Sequence, residues 1–436
     1  MAECLSAQAV ASLTPGARLK AILGGSAGNL VEWYDWFAYA SFSLYFAKVF
    51  FPRGDQTAQL LQAAAVFAVG FLARPIGAWV MGVYADRAGR KAALVASVAL
   101  MCAGSLAVAV TPGYATIGAA APVVLILARL VQGLSVGGEY GASATYMSEM
   151  AGRARRGFWS SFQFVTLIGG QLCALGVLIV LQRLLTGAQL GAWGWRVPFV
   201  IGALLAVVVF WIQRGLNETG AFEAVREHGA RGSSLRALLA RHPRETAIVF
   251  TLSAAGGLAF YCYTTYMQKF LANTAHFSKA AATSITAASL IAYLLVIPAF
   301  GWLGDRVGRR RLLIAAFGLG ALAAWPIMSA IAAATDAATA LALVVAAIVI
   351  LAGYSATNAV VKAELYPTAV RGLGVALPYA LGNAVFGGTA EYVALAFKQA
   401  GRESGFYIYV GVVQALACLA ALIMRDTQRL GLMAED

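Results

Sequence analysis

Long apolar stretches alternate along this chain with short segments that hold most of its charged residues. A helix needs about 20 apolar residues to cross ~30 Å of hydrocarbon, so each stretch is a candidate membrane span. We predict twelve spans: Ala21–Phe46, Ala58–Tyr84, Ala92–Val110, Pro122–Met147, Phe158–Leu181, Val197–Ile212, Thr246–Phe270, Ala281–Leu303, Leu312–Ile331, Ala337–Ala363, Gly374–Phe397 and Phe406–Met424. The pattern therefore predicts an all-α polytopic membrane protein embedded in a lipid bilayer.

Composition and charge agree with this class. Hydrophobic residues make up 61% of the 436 and charged residues only 12%, whereas a soluble domain has about 25% charged residues. The net charge of +13 could suggest nucleic acid. However, the basic residues form short clusters between apolar stretches, which is the pattern of loops that stay in the cytoplasm. We predict no nucleic-acid partner.

Lysine and arginine collect in the N-terminal tail, in the loops after even-numbered spans and in the C-terminal tail. The positive-inside rule then places both termini in the cytoplasm. The longest hydrophilic stretch lies at the middle of the chain. We predict a cytoplasmic tail (1–20), a six-helix half (21–213), a cytoplasmic linker (214–245), a second six-helix half (246–424) and a cytoplasmic tail (425–436).

A basic loop occurs twice and supports this division into halves. Gly82–Lys91 follows the second span and Gly301–Arg310 follows the eighth, and their aspartates, Asp86 and Asp305, are 219 positions apart. A glutamate followed seven positions later by an arginine also recurs. We predict that these residues form gating latches on the cytoplasmic side: Asp86, Arg87, Gly89, Arg90, Lys91, Asp305, Arg306, Arg309, Glu149, Arg156, Glu364 and Arg371.

The aspartate of such a loop can cap a helix N-terminus or pair with an arginine. The alternative is that the basic residues only enforce topology. The two interpretations are compatible, and neither puts a substrate at the loop.

Charged residues inside spans are costly, so each is a candidate functional group. The first half has Glu32, Asp35, Arg74, Arg129 and Glu139. At about 1.5 Å of rise per residue, Glu32 and Arg74 share one level near the membrane centre, and Asp35 and Arg129 share a slightly higher one. The alternative is a set of buried structural ion pairs. Glu139 lies among glycines, where close helix packing is as good an explanation as a gate or proton site.

The central charges do not recur in the second half. The positions 219 residues after Arg74, Glu32 and Asp35 hold Tyr293, Thr251 and Ala254. The loop residues therefore recur in the second half, whereas the central charges do not. This difference favours a functional role for the central charges over a role in the shared architecture. We expect Lys269, Lys362, Glu364 and Glu391, near span ends, to reach water along their side chains.

Two buried arginines attract an anion, and a dicarboxylate can engage both. We predict Arg74 and Arg129 as substrate ligands, with Tyr266 and Asn358 of the second half as further candidates. Burial disfavours the charge of a carboxylate. Protonation of Asp35 would then release Arg129 and couple proton entry to substrate binding. Asp35, Glu32 and Glu139 are the candidates for proton coupling.

The loop at Gly82–Lys91 resembles the signature of the major facilitator superfamily. Further stretches resemble its metabolite:proton symporter family: Gly28–Asp35, Leu72–Gly77, Arg129–Gly141 and Trp193–Phe199. The resemblance implies a monomeric symporter of the bacterial inner membrane that takes up a dicarboxylate, α-ketoglutarate first, with protons by alternating access. We also predict Tyr34 and Gln163 as substrate ligands. Citrate, shikimate, proline and betaine are the alternative substrates.

Other classes fit less well. A membrane enzyme needs a nucleophile, a metal cluster or an acid–base pair, and none has a recognisable spacing in this sequence. We therefore predict no catalytic residue, no metal and no cofactor. A channel would lack the two-half repeat with its paired latches.

Overall fold

The computed structural model describes residues 15–88, 90–136, 155–214 and 235–426. These residues form twelve long helical segments: α1 Pro15–Phe50, α2 Gln56–Ala88, α3 Arg90–Val110, α4 Ala120–Val136, α5 Arg156–Leu184, α6 Val197–Arg214, α7 Pro243–Asn273, α8 Lys279–Val307, α9 Arg309–Ala332, α10 Ala337–Glu364, α11 (Thr368–Gly382, Asn383–Gly387 and Ala390–Gln399) and α12 Glu403–Ile423. In these ranges every regular element is helical, and the all-α prediction is confirmed.

Short helical pieces lie between the long ones, at Tyr114–Ile117, Gly187–Ala192, Gly194–Arg196 and Leu235–Arg241. In the described part of the chain, seven helices are long and apolar enough to cross a membrane. Three shorter apolar helices accompany them, at Val95–Val110, Ala120–Ser135 and Gly194–Val209. Each predicted span corresponds to one of the twelve helices, although the end of the fourth span lies outside the described residues.

The packing of the helices repeats between the halves. In the first half α1 packs on α5, α2 on α4, and α3 on α4 and α6. In the second half α7 packs on α11, α8 on α10, and α9 on α10 and α12. Each contact of the first half thus recurs six helices later. The halves meet where α5 packs on α8 and where α11 packs on α2. These two contacts are equivalent, because α11 is the counterpart of α5 and α2 is the counterpart of α8.

Two helices of the second half contain π-helical turns. Tyr261–Tyr266 interrupts α7 and Asn383–Gly387 interrupts α11. The two turns face each other, since a Cβ added at Gly387 would lie 3.0 Å from Tyr261 Cδ2. A π turn adds a residue to the helical turn and rotates the side chains that follow. The periodicity of a regular helix does not predict where these side chains point.

Glycines let α2 and α4 approach closely. A Cβ added at Gly133 would lie 2.1 Å from Gly70 O, and one at Gly77 would lie 2.3 Å from Leu134 O. Small residues at membrane helix interfaces allow such backbone contact. The same contact holds the arginines of α2 and α4 at neighbouring positions.

Gly133→Ala is therefore expected to lower the thermal stability of the detergent-purified protein. The added methyl group meets backbone that cannot move aside, and overpacking of this kind costs about 1–3 kcal/mol. Gly176→Ala in α5 is the matched control, because nothing lies within 4 Å of its Cβ position. Equal melting temperatures for the two variants would contradict the close contact.

Candidate functional site

Arg74 of α2 is buried among aromatic rings of the first half. Its Cζ atom lies 4.0 Å from the ring centroid of Trp36, 4.1 Å from that of Phe71 and 5.0 Å from that of Trp33. Tyr261 of the second half is a hydrogen-bond partner of its guanidinium. Among the described residues, Arg74 Nε and Nη2 have no hydrogen-bond partner. A buried guanidinium with unused donors can bind a carboxylate with little rearrangement.

Glu32 of α1 lies close enough to interact electrostatically with Arg74, and its side chain is buried. The depth estimate from the sequence put these two residues on one level. Their opposite charges stabilise each other inside the protein, where the effective dielectric constant is low. Tyr379 of α11 also lies near Arg74, so groups from both halves surround this cation.

Asp35 of α1 accepts two short hydrogen bonds. Ser105 Oγ donates to Oδ1 at 2.5 Å, and Gln132 Nε2 donates to Oδ2 at 2.5 Å. Arg129 Nη1 in turn donates to Gln132 Oε1 at 2.8 Å. Asp35 is 1% exposed and Arg129 0%. The predicted pair of Asp35 and Arg129 is thus joined through the Gln132 amide, which passes the effect of one charge to the other.

Gln132 was not a candidate from the sequence, although a signal for it exists. It follows Arg129 by three positions and therefore lies on the same face of α4. Glycines on the neighbouring helices leave room for the network. A Cβ added at Gly202 of α6 would lie 2.6 Å from Asp35 Oδ1, and one at Gly104 of α3 would lie 2.4 Å from Gln132 Cγ.

Trp36 contacts both buried arginines. Its ring centroid is 4.0 Å from Arg74 Cζ and 3.9 Å from Arg129 Cζ. Cation–π attraction offsets part of the repulsion between two like charges in an apolar environment. The two arginines interact electrostatically. An anion bound at Arg74 would lower this repulsion further. Because the Trp36 indole contacts both arginines, it connects Arg74 with the hydrogen-bond network of Asp35.

A small cavity lies where the halves meet. Its lining from the first half is Phe164 and Leu167 of α5, and its lining from the second half is Gly256, Gly257, Phe260, Tyr261, Tyr354, Tyr379 and Asn383. The polar side chains among these lining residues are three tyrosines and one asparagine. Tyr261 connects this cavity with Arg74, because it lines the one and hydrogen-bonds the other.

The remaining substrate candidates lie elsewhere. The Tyr34 hydroxyl donates to Pro198 O at 3.0 Å, facing α6. Tyr266 packs against the rings of Phe270 and Phe406. Gln163 of α5 and Asn358 of α10 are buried but do not belong to the cavity lining. Tyr261 belongs to the same tyrosine-rich stretch of α7 as Tyr266, and spacing alone could not choose between them. Glu139 lies outside the described residues.

The expectation that four second-half charges reach water is wrong. Lys269 and Glu391 form a buried ion pair with a distance of 2.6 Å from Nζ to Oε2, at 0% and 3% exposure. Lys362 and Glu364 are buried as well. Closeness to a helix end describes only the position along the helix axis. Exposure to water also depends on the helix face, and these side chains lie on faces that neighbouring helices cover. A buried charge needs a partner, and the lysine–glutamate pair meets that need within the second half.

The second copy of the repeated loop does both things predicted for its aspartate. Asp305 of α8 accepts hydrogen bonds from the backbone N–H groups of Gly157 at 2.8 Å and Phe158 at 3.0 Å, in the first turn of α5. It also accepts from Arg309 Nη2 at 2.8 Å. Since α5 and α8 belong to different halves, this cap joins the halves directly.

Two of the other latch residues contact Glu364. Arg309 Nη1 donates to Glu364, and Arg156 of the first half lies 4.0 Å from it. Arg371 donates to the carbonyls of Ala363 and Tyr366, and Arg306 lies over the Trp302 ring. Gly89, Glu149 and the side chains of Asp86, Arg87, Arg90 and Lys91 lie outside the described residues. The latch hypothesis thus has a described counterpart in the second copy of the loop.

Contacts between the halves also lie on the other side of the cavity. Lys279 Nζ donates to Leu44 O at 2.7 Å, and Gln182 Nε2 donates to Thr283 Oγ1 at 3.1 Å. The latch and these contacts enclose the cavity from opposite ends. In this structure the two halves are therefore joined on both sides of the cavity.

Asp305→Ala is expected to destabilise the protein more than Asp336→Ala. Both aspartates cap a helix, and Asp336 accepts from Thr339 N on α10 at 2.8 Å. Loss of a cap costs about 1 kcal/mol in either case, but Asp305→Ala also leaves the buried Arg309 with one fewer partner, which adds about 1–3 kcal/mol. Thermal unfolding, with spin-label distances between α5 and α8, measures both effects. Equal stabilities and unchanged distances would rule out a latch.

Two family models match the chain. A model described as "Sugar (and other) transporter" matches residues 21–230, and one described as Major Facilitator Superfamily matches residues 249–430. A crystal structure of a D-xylose-proton symporter superposes with a TM-score of 0.75 at 20% identity, over 94% of this chain and 98% of that one. At that identity the likeness concerns the fold alone, and it agrees with the twelve-helix architecture.

Curated relatives cover nearly the whole chain. The chain is 50% identical over 409 residues to the alpha-ketoglutarate permease of Escherichia coli (strain K12), covering 93% of this chain and 94% of the relative. It is 34% identical over 381 residues to the citrate-proton symporter of Klebsiella pneumoniae, at 87% and 86% coverage. It is 31% identical over 424 residues to the shikimate transporter of Escherichia coli (strain K12), at 94% and 95%.

Proposed function

Since the chain belongs to the major facilitator superfamily and is a transporter, not an enzyme, we propose that it carries a dicarboxylate, α-ketoglutarate first, together with protons. The observation that carries this proposal is Arg74, a buried cation beside the cavity between the halves, with two guanidinium nitrogens that have no hydrogen-bond partner among the described residues. A guanidinium binds a carboxylate through two parallel hydrogen bonds. The 50% identity to a permease for α-ketoglutarate supports the same substrate.

Proton coupling runs through the Asp35 network in this proposal. The ionised carboxylate accepts from Gln132, and Gln132 accepts from Arg129. A proton on Asp35 removes the charge that orients this chain of hydrogen bonds. Arg129 and, through Trp36, Arg74 are then free to bind an anion. Substrate and proton enter together because each lowers the free-energy cost of burying the other's charge.

Alternating access follows from the two halves. The latch and the contacts beyond the cavity open in turn, so that the cavity faces one side of the membrane at a time. We place the protein in the bacterial inner membrane with both termini in the cytoplasm, because lysine and arginine collect in the corresponding loops. A 31% identical relative from Escherichia coli (strain K12) is named an inner membrane metabolite transport protein. The transporting unit is a monomer.

Uptake into proteoliposomes tests the proposal. Labelled α-ketoglutarate should accumulate under an inward proton gradient, and a protonophore should abolish the accumulation. Unlabelled α-ketoglutarate should compete more strongly than succinate, citrate, shikimate or proline. Liposomes without protein are the control. No accumulation of any dicarboxylate would overturn the proposal, and strongest competition by citrate, shikimate or proline would assign another substrate.

A further inference from the structure

A second buried cation lies beside the same cavity. Lys362 of α10 is 1% exposed, and its Nζ atom lies 4.0 Å from the ring centroid of Tyr379 and 6.0 Å from that of Tyr354. Both tyrosines line the cavity. Glu364, two positions further along α10, is held by Arg309 in the latch. Residues two apart on a helix do not share a face, so Lys362 lies on the α11 side of α10.

Tyr379 lies near both Lys362 and Arg74. Its ring faces the Nζ atom of Lys362. Tyr261, the hydrogen-bond partner of Arg74, lines the cavity beside Tyr379. The cavity therefore has a cation of the first half near one part of its tyrosine lining and a cation of the second half near another part.

We propose that Lys362 binds the second carboxylate of the substrate, so that Arg74 and Lys362 hold a dicarboxylate at its two ends. This inference rests on the proposed function and deepens it by assigning the residue that distinguishes a dicarboxylate from a monocarboxylate. The sequence put Lys362 near a span end and gave it no role at the cavity.

The chemistry of the site supports this role. Contact of an ammonium with an aromatic face is weaker than its hydrogen bond to a carboxylate, so Nζ can exchange Tyr379 for a substrate oxygen. The lysine stem is flexible and carries a compact charge, which lets Nζ follow the ligand. A ligand bound to α2 and α10 also ties one half to the other. Binding of both carboxylates thus favours the state in which the halves are closed around the cavity.

The test compares two ligands that differ in one carboxylate. Inhibition constants for α-ketoglutarate and for 2-oxopentanoate, a monocarboxylate of the same chain length, are measured in uptake assays with wild type, Lys362→Met and Lys362→Gln. Wild type should prefer α-ketoglutarate by about tenfold or more. Both neutral variants should lose most of that preference through weaker binding of α-ketoglutarate, with 2-oxopentanoate bound as before. Thermal stabilisation by the same ligands gives the comparison for a variant that folds without turnover.

Lys398→Met is the matched control. Lys398 is a lysine of α11 that donates to Asn273 O at 2.9 Å and pairs with Glu403 at 3.5 Å, away from the cavity lining. This variant should keep the wild-type ratio, and Lys362→Arg should keep a larger part of it than Lys362→Met. If wild type transports α-ketoglutarate and both neutral variants retain its preference, the inference is wrong while the proposed function stands. If wild type transports no dicarboxylate, the proposed function itself fails.

Discussion

Arg74→Ala is expected to abolish uptake of α-ketoglutarate while the protein still accumulates in the membrane. Arg74 is a buried cation beside the cavity, and its loss leaves a substrate carboxylate without its bidentate partner in an apolar site. Removal of one partner from a buried, hydrogen-bonded charge pair costs about 2–5 kcal/mol, which is about 30-fold or more in apparent affinity. Initial uptake rates and a ligand-induced thermal shift measure this loss directly.

Two further variants make the Arg74 result specific. Arg183→Ala removes an exposed arginine at the end of α5 and should transport like wild type. Arg74→Lys keeps the charge but loses the planar fork, so it should bind α-ketoglutarate more weakly than wild type and more tightly than Arg74→Ala. Normal uptake by Arg74→Ala would remove Arg74 as the anion anchor.

Asp35→Asn is expected to separate substrate movement from proton movement. Asparagine has the shape of a protonated aspartic acid, and its carbonyl can still accept from Ser105. Because the asparagine side chain neither binds nor releases a proton, a proton gradient cannot drive transport through this position. Accumulation driven by an inward proton gradient should fall to the level measured without a gradient. Exchange of external for internal α-ketoglutarate should continue.

The controls for Asp35 separate a proton site from a structural group. Ser105→Ala removes one hydrogen bond but keeps the carboxylate, so gradient-driven accumulation should persist. Glu32→Gln tests the other carboxylate of α1. If Glu32→Gln loses gradient-driven accumulation and Asp35→Asn retains it, the coupling proton belongs to Glu32. If both exchange and accumulation disappear in Asp35→Asn, the network is structural.

The buried ion pair of the second half shows why a position near the end of a predicted span does not predict that a charged side chain reaches water. Lys269 and Glu391 were expected to reach water because each lies near the end of its predicted span. In the structure each follows a π turn, and the two side chains meet between α7 and α11. No property of either segment taken alone indicates this pairing. The two residues are 122 positions apart in the chain.

The site in the first half could be predicted further than the one in the second. The sequence identifies the charged residues of the first half directly, because a charge inside an apolar stretch is unusual whatever its partner. These residues are Glu32, Asp35, Arg74 and Arg129. Their levels along the helices follow from the rise per residue. The groups that connect them, Gln132 and Trp36, are polar or aromatic residues of ordinary kind. The spacing from Arg129 is a sequence signal for Gln132, whereas Trp36 is identified by its contacts alone.

The sequence by itself determined the membrane class, the twelve helices and the two halves, because length, apolarity and repetition are properties of the chain alone. It also predicted that Glu32 and Arg74 share one level along the helices. The tertiary structure alone decided which side chains meet across helices, including Tyr261 and Lys362 at the cavity. That choice depends on how each helix is rotated about its axis. Glycine contacts between neighbours and the π turn at Tyr261–Tyr266 set this rotation, and both depend on helices far away in the chain.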